Sequence, residues 1–266
     1  MKFIVDHDYH IHSCKSACSD DPNQTPERIL QYAVENNLKH ICLTDHFWDD
    51  EISGASNFYS LHPLNKIKSL LPLPQADGVK FHFGCEADMN KDLVLGLLPH
   101  HYDEFEFINV ALTHFHMGDF TRDTQKVSTP EERADWAIKR VHALLDMDLP
   151  FEKVGIAHFT VPLIANGREE QIKTINSMSD DALYEAFGRV ADKGVGVELN
   201  FNLSSYEGQD ITDMLRPYRI AKDCGCKFFM GSDAHHPEKF NTIIKNFNDI
   251  ADALELSEDD KFKPFG

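Results

Sequence analysis

The sequence predicts an α/β barrel, and three observations carry that reading. The chain has 266 residues, a length that barrels of this class reach without dividing into two domains. Seven short apolar runs alternate with segments of helical periodicity. Six of the seven runs are followed at once by His, Asp or Glu. Chemistry concentrated at the C-terminal ends of parallel strands is the pattern of a barrel mouth. No repeat, low-complexity tract or linker interrupts the alternation, so residues 1–266 are expected to form one domain.

Taken in order, residues 2–8 read as the first strand. Thr25-Pro26-Glu27 then caps a helix to about Asn37, with Pro at the first helical position. Residues 40–44 are strand two, and 45–60 a loop holding Trp48 and the acidic run Asp49-Asp50-Glu51. A short helix over 61–71 stops at Pro72. Strand three covers 79–83 and strand four 107–113. Pro130-Glu131-Glu132 opens a helix to about Asp146, and strand five follows at 153–157. Ser179-Asp180-Asp181 caps a helix that stops at Lys193-Gly194, Gly being the usual terminator. Strand six at 195–200, a helix over about 210–224, strand seven at 227–230 and a helix over about 237–256 complete the alternation.

The hydrophobic share of 42% is enough for a sizeable core. Lys and Arg number 26 against 44 Asp and Glu, a formal charge of −18. That balance disfavours long nucleic acids, whose binding needs cations against phosphates. A local cluster of metal ions would still hold one or two phosphates. No apolar run nears the ~20 residues of a membrane span, so no membrane partner is expected. Met1-Lys2-Phe3-Ile4-Val5-Asp6 does not read as a signal peptide. A cytoplasmic, reducing setting with free thiols is therefore expected for the six cysteines. Cys14 and Cys18, four apart, lack the second pair of a zinc motif. Cys224 and Cys226 read as a helix end and a strand start.

Each candidate ligand has a bland reading when taken alone. His-x-His at 10 and 12 puts two imidazoles on one strand face, but the pattern is common by chance. Asp45 before His46 suits a helix cap, and Glu86 an exposed acid. His114 and His158 suit core histidines, and Asp233 after Gly231-Ser232 suits a cap. Together, the bland readings must explain a ligand after six of seven strands, which a metal centre explains directly. His7, His62, His82, His100, His101 and His142 are read as non-ligands.

The residues Asp8-x-His10-x-His12-Ser13, Thr44-Asp45-His46, Gly84-x-Glu86, the strand-end His114 and His158, and Gly231-Ser232-Asp233-Ala234-His235 resemble the motifs of the PHP superfamily (polymerase and histidinol phosphatase). Their order and spacing match over essentially the whole chain. The resemblance implies a distorted seven-stranded barrel holding three divalent metal ions, Mn, Fe or Zn. It implies that His10, His12, Glu86 and Asp233 hold the first ion. Glu86 would bridge to a second, completed by His114 and His158, while His46 and His235 would hold the third with an early ligand. The stretch 13–21 departs from the pattern in having no His. Asp20 is the first choice there, Asp21 the alternative, and Cys18 a more distant one, because imidazole and carboxylate sites suit these ions better than a lone thiolate. His116 and His236 neighbour chosen ligands and are substitutes for them.

Two ions sharing Glu86 would share a water and acidify it toward hydroxide at neutral pH. Glu86 and Asp233 would then act catalytically through that hydroxide, with the ions offsetting phosphate charge in the transition state. Gly231-Ser232-Asp233 is no nucleophile elbow, since no Gly follows the Ser. Arg122 and Arg168, in the loops after His114 and His158, are the candidates for gripping a substrate phosphate. Trp48, Phe115 and Phe159 are candidate walls for a leaving group. The expected function is hydrolysis of a small phosphate monoester, as in histidinol-phosphate phosphatase. Alternatives are a phosphodiesterase or exonuclease on nucleotides or short oligonucleotides, and a metal-binding module without turnover. An exonuclease needs a basic track and an aromatic platform, and the sequence shows no basic cluster.

Overall fold

The computed structural model describes residues 1–266. Eight parallel strand segments form one sheet that curls almost into a closed barrel: β1 (His7–Ile11), β2 (His40–Leu43), β3 (His46–Phe47), β4 (Lys80–Asp88), β5 (Phe107–Ala111), β6 (Val154–Ala157), β7 (Gly196–Leu199) and β8 (Lys227–Met230). The order is β1-β2-β4-β5-β6-β7-β8, and β3 pairs with β4 beyond the end of β2. β2 and β3 are thus two halves of one broken strand, each laid against the nine-residue β4. That leaves seven barrel positions, the distorted seven-stranded α/β barrel expected. A regular ladder does not close the ring. A bridge between Ile11 and Ala234, with Asp233 N donating to His10 O at 2.7 Å and His12 N to Ala234 O at 3.1 Å, joins the last strand to the first.

The helices are α1 (Pro26–Glu35), α2 (Leu64–Lys68), α3 (Pro130–Leu145), α4 (Arg168–Ser177), α5 (Asp180–Lys193), α6 (Gln209–Asp223) and α7 (Phe240–Ala253). Caps set their starts as the sequence suggests: the Thr25 side chain accepts from Arg28 N, Ser179 from Ala182 N, and Thr129 and Glu132 form a reciprocal capping box. Gly194 ends α5 in the left-handed conformation at φ 72°.

Four elements differ from expectation, the first being β3, which forms at His46–Phe47 inside the 45–60 stretch read as loop. Residues 2–8 are mostly irregular, and β1 begins only at His7. The apolar residues there serve the outer layer instead, Phe3 packing in the main core with its N–H donated to Leu256 O. β4 extends five residues past Phe83, so Glu86 lies inside a strand rather than after it. Helix α4 starts at Arg168, a residue read as loop, because Gln171, Thr174 and Ile175 bury one face while the rest is polar and weakly periodic.

Toward the N-terminal ends of the strands, Tyr9, Cys42, Phe107, Phe229 and Phe262 form a separate apolar layer against which Phe265 packs. Gly155 on β6 is required there, since a Cβ would lie 2.7 Å from the rings of Phe107 and Phe229. The C-terminal ends carry the polar groups.

Candidate metal centre

Above that aromatic layer, eight of the proposed ligands meet. His10 stands on β1 and His12 just beyond it, and their Nε2 atoms face each other at 3.0 Å. Asp233 Oδ1 lies 3.0 Å from His12 Nε2 and 3.5 Å from His10 Nε2. Glu86 Oε2 completes the group at 3.4 Å and 3.5 Å from the same two nitrogens. Strand register explains Glu86: on β4 it is the lateral neighbour of His46 on β3 and of Asn109 on β5. Its other oxygen, Oε1, sits 2.8 Å from His158 Nε2 and 3.6 Å from His114 Nε2. A third group, His12, His46 and His235, stacks as a row of rings with His12 between the other two, at 4.5 Å and 4.2 Å.

The donor set fits divalent ions. Three groups of His and carboxylate atoms each converge within 4.8 Å, and they share His12 and Glu86. Buried polar groups in proteins are normally paired. Yet His46 Nδ1 and Glu86 Oε2 face each other at 2.8 Å without hydrogen-bond geometry, and neither atom has another partner. Lone pairs aimed at common points, with no proton donor between them, are what a cation would satisfy. The backbone is strained at the same place. His158 and Asp233 adopt φ of 29° and 51°, in the left-handed region that non-Gly residues seldom occupy.

The electrostatics favour ligand-ready forms at Glu86, His46 and His235, whereas carboxylates around His10, His12 and His114 raise those rings despite their burial, holding positive charge where cations would bind. Burial opposes charge on Glu86, but the imidazoles of His46 and His10 beside it hold its carboxyl well below the usual carboxylate range. Burial lowers His46 and pushes His235 down to about 4, which keeps both rings neutral with free lone pairs.

A surrounding set of polar residues aims these rings. Glu198 on β7 is buried, with Oε1 2.6 Å from His10 Nδ1 and Oε2 accepting from His158 N at 2.6 Å. Asn109 lies 2.9 Å from the same His10 nitrogen. Asp88, two residues beyond Glu86 on β4, holds His114 Nδ1 at 2.9 Å and accepts from Tyr59 Oη at 3.1 Å. Asp88 is in turn paired with the buried Arg140 at 3.2 Å. Asp45 does not ligate; it accepts from Ser13 N, Ser13 Oγ and Ser16 Oγ at 2.6–2.8 Å, and Ser16 Oγ reaches His12 Nδ1 at 3.1 Å. Glu198, Asp88 and Arg140 escaped the sequence reading. The available signal was an acid inside the apolar run Val195–Leu199, and a second acid two places after Glu86 on the same strand.

Three proposed site residues lie elsewhere. Asp20 points outward, 91% exposed, and approaches His236 at 3.5 Å. Its loop is fixed by Ala17 N donating to His62 Nε2 at 2.8 Å and Ser19 Oγ to His235 O at 2.7 Å, a path that turns Cys18 toward the cavity instead. Arg122 is buried and donates to the carbonyls of Phe115 (3.1 Å) and Val127 (2.5 Å), closing its own loop. Arg168 is exposed at the start of α4, where it stacks on Tyr206 at 4.6 Å and bonds Ser205 O. Neither arginine lines the cavity. Phe115 and Phe159 are core residues, and Trp48 is buried with its indole N–H given to Ile52 O at 2.9 Å.

A cavity of about 400 Å³ opens over the ligands. Its floor includes His46, His114, Asp233 and His235, and Phe58, Tyr59, Met117 and Leu163 supply apolar wall.

The PHP domain family matches residues 8–202. No curated protein sequence matches the chain. Among solved structures, the chain is similar to histidinol phosphate phosphatase from Lactococcus lactis subsp. lactis Il1403 complexed with zinc, L-histidinol and phosphate. That likeness has a TM-score of 0.57 and 18% identity, covering 95% of each chain. A probable 2-pyrone-4,6-dicarboxylic acid hydrolase from Acinetobacter baumannii gives a TM-score of 0.44 and 14% identity, over 96% of this chain and 97% of that one.

Proposed function

The chain belongs to the PHP domain family and is a metal-dependent phosphoesterase, and from that premise we propose that its substrate is a small phosphate monoester. The three ligand groups would hold three divalent ions. β8 and the ligands Asp233 and His235 lie beyond residue 202, which supports treating 1–266 as one PHP-type unit.

Bound there, the ions would acidify a water toward hydroxide and offset the charge of a phosphate. The chain's own residues arrange that chemistry. Glu86 spans two ligand groups, one oxygen toward each, and so fixes their separation. Glu198 and Asp88 orient His10 and His114 from behind. Asp233 is the acidic ligand that lines the cavity, which places its carboxylate to accept a hydrogen bond from the attacking water. The apolar wall excludes water around the ester.

The observation carrying the substrate reading is the cavity's makeup. Its size suits one small molecule, and its lining contains neither Lys nor Arg. Phosphate recognition would therefore fall to ions held by the three ligand groups, and the lining offers no basic side chain to a second phosphate. A monoester, carrying close to two charges at neutral pH, takes more from such a site than a diester. The formal charge of −18 offers a longer polyanion no further foothold.

The test is kcat/KM for zinc- or manganese-loaded protein on a panel of phosphorylated metabolites, mononucleotides, dinucleotides and oligonucleotides. Small monoesters should exceed dinucleotides by about tenfold or more, a difference of about 1.4 kcal/mol in transition-state stabilisation. Efficient release of mononucleotides from an oligonucleotide would reverse the reading in favour of an exonuclease.

A further inference from the structure

A second cluster of ligating side chains stands outside the barrel mouth. The loop leaving β3 buries Trp48 and then turns, with Asp49 N donating to Gly96 O at 2.9 Å and Asp49 Oδ1 accepting from Glu51 N at 3.0 Å. These bonds fix the Asp49 carboxylate, which is only 2% exposed, with Oδ2 directed at His101 Nδ1 2.5 Å away. His100 and His101 are consecutive on the 3-10 turn Pro99–Glu104, and their rings come within 4.1 Å of each other. His100 Nε2 lies 3.1 Å from Glu51 Oε1.

Asp49, His100 and His101 each offer one ligand atom, all within 4.8 Å of one another. Glu51 adds a second carboxylate at the edge. Consecutive on one tight turn, His100 and His101 both direct ring nitrogens at carboxylates of the loop after β3. The set is two imidazoles and two carboxylates, which suits zinc or a similar borderline ion and not calcium or magnesium, whose preferred ligands are all oxygen. As a plain ion pair at the surface, the His100–Glu51 contact would contribute little and would give no reason for the convergence.

We propose that Asp49, Glu51, His100 and His101 form a separate zinc-type site that clamps the loop after β3 to the turn before β5. The clamp would bear on the centre through packing. Phe47, the residue after ligand His46, packs edge-on against His101 at 6.4 Å and against Phe105 at 5.3 Å.

The experiment counts ions. The full chain is equilibrated at micromolar free Zn²⁺, desalted and measured by elemental analysis, alongside His100→Ala/Glu51→Gln and, separately, His158→Ala. His100 and Glu51 are 54% and 66% exposed, so the double variant should keep its fold, which circular dichroism verifies. The double variant should hold one ion per chain fewer than wild type, lose part of the zinc-dependent rise in Tm, and keep its phosphatase kcat/KM at saturating zinc within about twofold. An ion count and zinc-dependent Tm equal to wild type would overturn the proposal and leave Asp49–His101 a simple hydrogen bond. His158→Ala reports on the barrel-mouth centre independently, so failure of one site is not mistaken for failure of the other.

Discussion

Glu86 is the residue on which the centre turns, because its two oxygens face different ligand groups. Glu86→Gln should cost more than any change to a residue behind the ligands. One oxygen would become an amide, and two ions would lose a shared anion. Asp88→Asn and Glu198→Gln act only through His114 and His10. Each should lower metal affinity or activity by about 10–100-fold, and the loss should be partly restored by added metal. Glu86→Gln should fall below both, without such rescue. If Glu86→Gln retains near-normal turnover with full ion content, the bridging role is wrong. The contrast also shows what the sequence discloses at this scale. The convergence of the eight proposed ligands was legible because His, Asp and Glu recur at strand ends. The carboxylates behind them were not, since a buried acid bonded to a histidine ring looks the same in a sequence as any other acid. That Asp20, Arg122 and Arg168 lie away from the other proposed site residues was not legible for a related reason: the carbonyls that capture Arg122, and the turn that swings Asp20 outward, are products of loop conformation.

At the scale of elements, the loop between β1 and α1 is held from below by a neutral histidine. His62, on the segment before α2, is fully buried; its Nε2 accepts from Ala17 N at 2.8 Å and its Nδ1 lies 3.0 Å from Phe58 O. Burial first, then the neighbouring His46 imidazole, drives its pKa from 6.5 down to about 3. The sign follows from proton binding: between those values the unfolded chain takes up a proton that the folded one refuses. Stability from this residue is therefore complete above pH 6.5 and is lost as pH falls toward about 3. At pH 5 the loss is about 2 kcal/mol. In metal-free protein, His62→Gln should flatten the fall in denaturant-measured stability between pH 6.5 and 5 by about that amount. An unchanged slope would show that His62 does not carry it. The β3 break, the long β4 and helix α4 were the elements least legible from sequence. β4 runs apolar and then polar without a turn signal, so Glu86 seemed to follow the strand. α4 has a polar surface and a narrow buried face, so its periodicity was faint.

Across the whole molecule, the alternation of strand and helix was enough to give the barrel, because seven buried parallel strands leave continuous apolar runs that helices must cover. Its near-closure was beyond reach of the sequence. Backbone hydrogen bonds from His12 and Asp233 make the joint between last strand and first, helped by Met230 N donating to His7 Nε2 and Ser232 donating to Asp8 and His10, so much of it lies in the proposed metal-binding segments. Gly231 is tied to the same joint, since a Cβ there would overlap Glu198 Oε1 and lie 2.7 Å from His10 Cβ. Closing the barrel brings the residues of the centre together, so ions held there should stabilise the fold as they bind. The most direct test of this account is a crystal structure of zinc-loaded protein with anomalous data at the zinc edge. The account predicts three anomalous peaks at the mouth: one among His10, His12, Glu86 and Asp233, one among Glu86, His114 and His158, and one beside His12, His46 and His235. A mouth holding one peak or none, with these side chains unmoved, would contradict it.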